Sequence, residues 1–203
     1  MVFLGKFEGF KEKVYLEILN TLRNHFTNYE KSIYAIALEI FYGEEYGIKV
    51  LYQTKDDLNI QFKKELEVHK YDVQEFEYLN EAENMFFLTN NHTRDFWGSI
   101  LYYMYDDSTP IPKGYYEEFG IPMQNGVLDR RELPDDTFTF LEDTALFCAE
   151  KLKHTTEFIR KDDDFLIFVC HESTMYYRYP LSFIRRTVDE DKMHLLMDIV
   201  SEK

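Results

Sequence analysis

Residues 32–42 constrain the fold of this chain most strongly, because apolar side chains occupy both faces of the strand that they predict. One predicted face carries the larger side chains Tyr34, Ile36, Leu38, Ile40 and Tyr42. The opposite face carries Ile33, Ala35 and Ala37, and its alanines leave room for a helix to approach. A strand that is apolar on both faces is usually central in its sheet, so we expect 32–42 to be a central strand.

Two hairpins are predicted to build the sheet. The turn signal Gly43-Glu44-Glu45 separates the first strand from an alternating apolar run at 46–53. Near the C-terminus, residues 165–171 form a second run that is apolar on both faces, and a turn leads from it to a return strand at 175–179. These elements predict an α+β fold with a mixed, mostly antiparallel sheet, built from two hairpins with helices packed on it.

Helices are predicted where apolar residues recur at steps of three and four. In 7–27 they form one stripe, and the charged residues, Lys11 among them, are placed around the other side. A second clear helix is predicted at 135–153, with its acids at the start and its bases at the end. Further helices are expected at 54–68, at 93–104 and from residue 189 onwards.

The acidic charge of the chain is concentrated in its middle. Lys and Arg total 23 against 38 Asp and Glu, a net charge of −15, which argues against nucleic acid as the main partner because phosphate binding needs a basic surface. Residues 71–153 hold six basic and seventeen acidic residues. A surface of one sign attracts a partner of the other, so we interpret this part as the docking site of a basic protein partner. A solvated face that keeps the protein soluble is the alternative.

The length of 203 residues fits one α+β domain over 1–203, with a more irregular acidic middle segment at 71–135. Aromatic and acidic residues mix in the loop at 110–126, a composition found at protein interfaces. The predicted partner-binding residues are the acids and tyrosines of the middle of the chain: Asp106, Asp107, Tyr115, Tyr116, Glu117, Glu118, Asp129, Asp135 and Asp136. The alternative is a loop that the same aromatics fold onto the core.

Three adjacent acids, Asp162, Asp163 and Asp164, are the best metal-like cluster in the sequence, since carboxylate oxygens bind Mg²⁺ and Ca²⁺. A metal-assisted hydrolase that uses them with a histidine such as His171 is therefore one alternative function. A charged turn is the simpler interpretation of the same residues. Neither Gly-x-Ser-x-Gly nor His-Glu-x-x-His occurs, so the sequence favours a non-enzyme without a cofactor.

A third function is a structural module that self-associates through aromatic surfaces, because the chain holds 16 Tyr, 18 Phe and one Trp.

The sequence predicts a cytoplasmic protein that does not enter a membrane. Lys6 and Glu8 interrupt the apolar residues that a secretion signal needs at the N-terminus. No stretch approaches the roughly 20 apolar residues of a membrane span. The two cysteines, Cys148 and Cys170, have no metal or redox spacing, which is typical of reduced thiols in the cytosol.

Two stretches resemble known bacterial families. The strand Ile33-Tyr34-Ala35-Ile36-Ala37-Leu38, the hairpin after it and Gln53-Thr54-Lys55-Asp56-Asp57 resemble the front of a group of uncharacterised bacterial proteins of about this length, whose late strand is similar to 165–170. Separately, Ile111-Pro112-Lys113-Gly114-Tyr115-Tyr116, followed by Asn125-Gly126, is similar to a signature of the cell-wall-regulator-like immunity superfamily. These resemblances imply a bacterial protein of unknown function, some of whose relatives are immunity proteins encoded beside secreted toxins, and they carry over no catalytic residue.

Overall fold

The computed structural model describes residues 8–42, 46–54, 77–78, 123–124, 127–128, 137–171, 179–197 and 200–201. The helices are α1 (Glu8–Phe26), α2 (Thr137–Leu152), α3 (Leu181–Thr187) and a 3₁₀ helix (Glu190–Leu196). The strands are β1 (Ile33–Tyr42), β2 (Tyr46–Thr54), β3 (Glu77–Tyr78), β4 (Met123–Gln124), β5 (Val127–Leu128), β6 (Lys161–His171), β7 (Tyr179–Pro180) and β8 (Val200–Ser201).

The main sheet has the strand order β3-β2-β1-β6, and β1 is a central strand as predicted. β1 and β2 form the predicted antiparallel hairpin, while the two-residue β3 pairs antiparallel with β2. β6, however, pairs with β1 in parallel. The α+β class and the mixed sheet are therefore confirmed.

The prediction of two hairpins is wrong. β6 reaches the sheet as a parallel neighbour of β1, and the short β7 pairs in parallel with β8 instead of returning along β6. The rest of the predicted return strand, together with the predicted helices at 54–68 and 93–104, lies outside the described residues. An apolar run shows that a strand is buried, but it does not encode the direction of its neighbour, which explains the error.

An irregularity at the start of β1 changes which face its first residues occupy. The pairing with β2 steps from Ile33↔Thr54 to Ala35↔Gln53, so β1 has one extra residue there, a β-bulge at Tyr34. Tyr34 therefore packs with Ala35 on one face, and Ile33 packs with Ile36 on the other. The strict alternation predicted for Ile33 and Tyr34 is wrong, because a bulge shifts the alternation by one residue.

Helices cover both faces of the sheet. On the first face, α1 and α2 pack on residues such as Ile36, Leu38 and Ile167. On the second face, Ile184 of α3 and Leu196 of the 3₁₀ helix pack on the alanines of β1 and on the neighbouring residues of β6. The apolar stripe of α1 is buried as its spacing predicts, and within the described residues no helix is both long and apolar enough to cross a membrane.

The predicted last helix begins close to the expected residue, since Asp189 is the N-cap of the 3₁₀ helix. Before it lies α3, which the sequence analysis did not predict. α3 has seven residues and directly follows Pro180, so its apolar pattern covers less than two full turns. Such a short pattern is hard to distinguish from a loop.

The first face is built from two helix–turn–strand units that lie side by side. α1 leads through a short turn into β1, and α2 leads through another into β6. The two turns are joined, because Arg160 Nη1 donates a hydrogen bond to the Glu30 carbonyl at 2.9 Å and Ile33 N donates one to the Arg160 carbonyl at 2.8 Å. At the opposite end, the first turns of α2 lie beside the carboxyl end of β6, where Glu142 contacts His171.

The core on the first face predicts a clear difference between two leucines of α1. Leu22 is 0% exposed and Leu16 is 44% exposed. We expect Leu22→Ala to lower the free energy of unfolding by about 3 kcal/mol, because it opens a cavity between helix and sheet. Leu16→Ala, the matched control, should change it by less than about 0.5 kcal/mol. Urea unfolding measures both, and equal losses would contradict this packing.

Candidate functional site

The carboxyl end of the parallel pair β1 and β6 is where charged groups from several elements converge. Open α/β sheets commonly bind ligands outside the carboxyl ends of their parallel strands. Six side chains from α1, α2, α3 and β6 form what we call the edge cluster, which extends from His171 at that end to Glu150 in the last turn of α2: Lys11, Glu142, Asp143, Glu150, His171 and Arg186. Four of these residues belong to α1 and α2, the helices that pack on the first face of the sheet.

Asp143 is shared between two cations. Its Oδ2 lies 3.8 Å from Lys11 Nζ, and its Oδ1 lies 3.8 Å from Arg186 Nη1. Arg186 also donates from Nε to Glu150 Oε1 at 3.0 Å. These contacts connect α1, α2 and α3 through a single carboxylate, because Asp143 stands between the other two helices.

Lys11 is the most buried member of the edge cluster. Its side chain is 4% exposed, and no hydrogen bond from its ammonium group to a described residue accompanies the 3.8 Å ion pair. Burial lowers the pKa of Lys11, Asp143 opposes that shift, and the nearby Arg186 guanidinium reinforces it. The charged form of this lysine is therefore weakly compensated.

His171 ends β6 and contacts both α2 and α3. Its Nε2 lies 3.2 Å from Glu142 Oε1, and its ring stacks on Phe183 with 5.2 Å between centroids. The histidine is therefore held from two sides, by a carboxylate and by an aromatic ring. An ionised carboxylate can only accept, so a hydrogen bond between these two groups requires a proton on Nε2.

A second ionic pair lies on the other face of the sheet. Glu39 of β1 and Lys49 of β2 are direct cross-strand partners, with 3.5 Å between Lys49 Nζ and Glu39 Oε2. Their side chains are 9% and 4% exposed. Burying two charges is expensive unless they are well paired, so this interaction fixes the register of β1 against β2 more than it adds stability.

The cysteines behave as the sequence predicts for core thiols. Cys148 and Cys170 form no disulfide and are fully buried, in the clusters on opposite faces of the sheet. Burial raises the pKa of the Cys148 thiol, which keeps it in its unreactive protonated form.

The three adjacent acids do not meet His171. Asp162, Asp163 and Asp164 lie in a stretch of β6 where residues 162–165 oppose the single residue Tyr34 of β1. Seven residues of strand separate Asp164 from His171, which at 3.3 Å per residue is about 23 Å. A metal site that combines these acids with His171 is therefore wrong. Among the described residues, no group of three or more His, Cys, Asp and Glu side chains is placed to bind a metal ion.

The predicted partner-binding residues cannot be placed in the same way. Asp106, Asp107, Tyr115, Tyr116, Glu117, Glu118, Asp129, Asp135 and Asp136 all lie outside the described residues. Their role stays a prediction.

Sequence reasoning missed the edge cluster, although one of its members left a signal. Lys11 is in phase with Tyr15, Leu19, Leu22 and Phe26 at steps of three and four, so it belongs to the buried face of α1. Placing it on the outer side was wrong. Asp143 and Arg186 gave no such signal, since a tertiary contact between α2 and α3 brings them together.

Comparisons with known proteins add no relative, since no family model, curated protein or solved structure matches this chain.

The Glu39–Lys49 pair predicts a strong energetic coupling. We expect Lys49→Met to lower the free energy of unfolding by about 3 kcal/mol, because it removes the cation opposite a buried carboxylate. The double variant Glu39→Leu/Lys49→Met should lower it by less than the two single variants together. The control is the exposed Glu12–Lys151 pair, with side chains 43% and 37% exposed, whose coupling should stay below about 1 kcal/mol. Urea unfolding of both mutant cycles measures this. Equal coupling in the two cycles would contradict the burial of the first pair.

The buried Lys11 predicts a pH dependence. Because its pKa is lowered in the folded protein from the ordinary 10.5, the unfolded chain binds more protons between the two values, and stability rises with pH in that window. The free energy of unfolding of the wild type, minus that of Lys11→Met, should therefore increase as the pH rises towards 10.5. Chemical unfolding at several pH values tests this, and a difference that stays flat or falls would refute it.

Proposed function

We propose that this chain is a non-catalytic, acidic binding protein of the cytoplasm that docks a basic protein partner through its middle. The observation that supports this most is the charge balance of residues 71–136, which we call the acidic segment. It holds fourteen acidic and four basic residues. The remainder of the chain holds 24 acidic and 19 basic residues, so it cannot neutralise the acidic segment.

The ion pairs of the described residues support the same conclusion. Five cations of the helices and strands already pair with acids of the same body, in the pairs Lys11–Asp143, Lys49–Glu39, Lys151–Glu12, Lys153–Asp189 and Arg186–Glu150. The first two of these lysines are buried. These five cations have partners outside the acidic segment, which is consistent with a surplus of negative charge there that a basic partner would balance.

A negative field of this size has physical consequences for association. It speeds the encounter with a cationic protein, repels other copies of the same chain and weakens as salt screens it. The tyrosines of the acidic segment, Tyr115 and Tyr116 among them, would supply the aromatic anchors that interfaces favour. The resemblance to immunity proteins makes a secreted toxin encoded by a neighbouring gene the first partner to test.

The experiment mixes the purified chain with the purified product of the neighbouring gene. We expect a complex whose dissociation constant rises with salt, because charge attraction contributes to it. The double charge reversal Glu117→Lys/Glu118→Lys should weaken the complex by about tenfold or more. Titration calorimetry at two salt concentrations measures both effects.

The matched control is Glu157→Lys/Glu190→Lys, which changes the net charge equally but at two exposed acids outside the acidic segment. It should weaken the complex far less. Equal weakening by both double variants would show that net charge alone matters, and the absence of a complex with any neighbouring gene product would defeat the proposal.

A further inference from the structure

The edge cluster holds a lysine whose environment differs from that of an ordinary surface lysine. An ammonium group has three donors and is costly to bury without hydrogen bonds. Only 4% of the Lys11 side chain is exposed. Its Nζ lies 3.8 Å from Asp143 Oδ2, which is longer than a hydrogen bond. Burial therefore makes the ammonium form of Lys11 less favourable than it is at a protein surface, which lowers the pKa of Lys11.

Arg186 strengthens this effect. It lies 3.8 Å from the other oxygen of Asp143, so one carboxylate serves two cations. A guanidinium group does not lose its proton in proteins, and of the two cations the lysine is the one that can become neutral. A lysine that is desolvated and close to a second cation is a recognised way to obtain a nucleophilic amine.

Among the described residues, charged and titratable groups on three helices act on Lys11. They are Glu8 on α1, Asp143 and Cys148 on α2, and Arg186 on α3. Cys148 is buried, and burial raises the pKa of its thiol, so it stays neutral. The Asp143 and Arg186 side chains are 17% and 30% exposed, so both are more accessible than Lys11 at 4%.

We propose that Lys11 is a nucleophilic amine that forms an imine with a small aldehyde. The lysine nitrogen attacks the carbonyl carbon, a C–N bond forms, and the carbonyl C–O bond then breaks. The oxygen leaves as water with the two protons of the amine, and no oxidant or reductant is consumed. Asp143 is the carboxylate placed to carry a proton from the nitrogen to the leaving oxygen. This site is independent of the acidic segment and of any protein partner.

The test is reductive methylation of the whole chain with limiting formaldehyde and cyanoborohydride at pH 7, mapped by peptide mass spectrometry. Lys13, two residues further along the same helix and less buried, is the matched control. We expect Lys11 to be methylated several-fold faster than Lys13, because a lowered pKa raises the fraction of neutral, nucleophilic amine at pH 7. Its rate should also level off at a pH below 10.5, the ordinary pKa of a lysine. Methylation of Lys11 at or below the rate of Lys13 would overturn the proposal.

Two variants of α3 separate the effect of Arg186 from general charge. Arg186→Met removes the cation beside Asp143, so Lys11 should lose part of its advantage over Lys13 while the part due to burial remains. Arg185→Met makes the same change at the neighbouring exposed arginine and should leave that advantage intact. Circular dichroism checks that both variants are folded. Equal rates in the two variants would contradict the role of Arg186.

In urea, where the chain is unfolded, Lys11 and Lys13 should react at the same rate. A faster reaction of Lys11 that persists in urea would also contradict the proposal.

Discussion

The parallel pairing of β1 with β6 is the constraint on which the rest of the structure depends. It places two helix–turn–strand units side by side, so that α1 and α2 share one face of the sheet. The hydrogen bonds of Arg160 and Ile33 tie the two turns together at one end. At the other end, the start of α2 meets the carboxyl end of β6, and the edge cluster forms there. Had β6 been half of a separate hairpin, these side chains would not have been brought to one edge.

Charge is used differently in the two parts of the chain. In the helices and strands, cations and acids pair across elements, as Lys151 does with Glu12 and Arg186 with Glu150. Such pairs add little stability when exposed, but they set how elements sit against one another. The acidic segment has too few bases for the same arrangement. The contrast separates charge that organises the fold from charge that we propose is directed outwards, to a partner.

The edge cluster shows which features of a site can be predicted from the sequence and which cannot. Helical phase alone places Lys11 on the buried face of α1, so its burial was available from the sequence. Its neighbours were not, because Asp143 and Arg186 are 132 and 175 positions further along the chain. For Asp164 and His171, closeness in the sequence was misleading. The metal-site hypothesis combined them, but they are about 23 Å apart along an extended strand.

The sequence by itself determined the elements that have strong local patterns: the stripes of α1 and α2, the hairpin of β1 and β2, and the burial of β6. Periodicity encodes which side of an element is buried, since the spacing of side chains is a local property of helix and strand. The tertiary structure decided the direction of β6, the faces of Ile33 and Tyr34 at the bulge, and the meeting of Lys11 with Asp143. These depend on contacts between residues far apart in the chain, which no local pattern records.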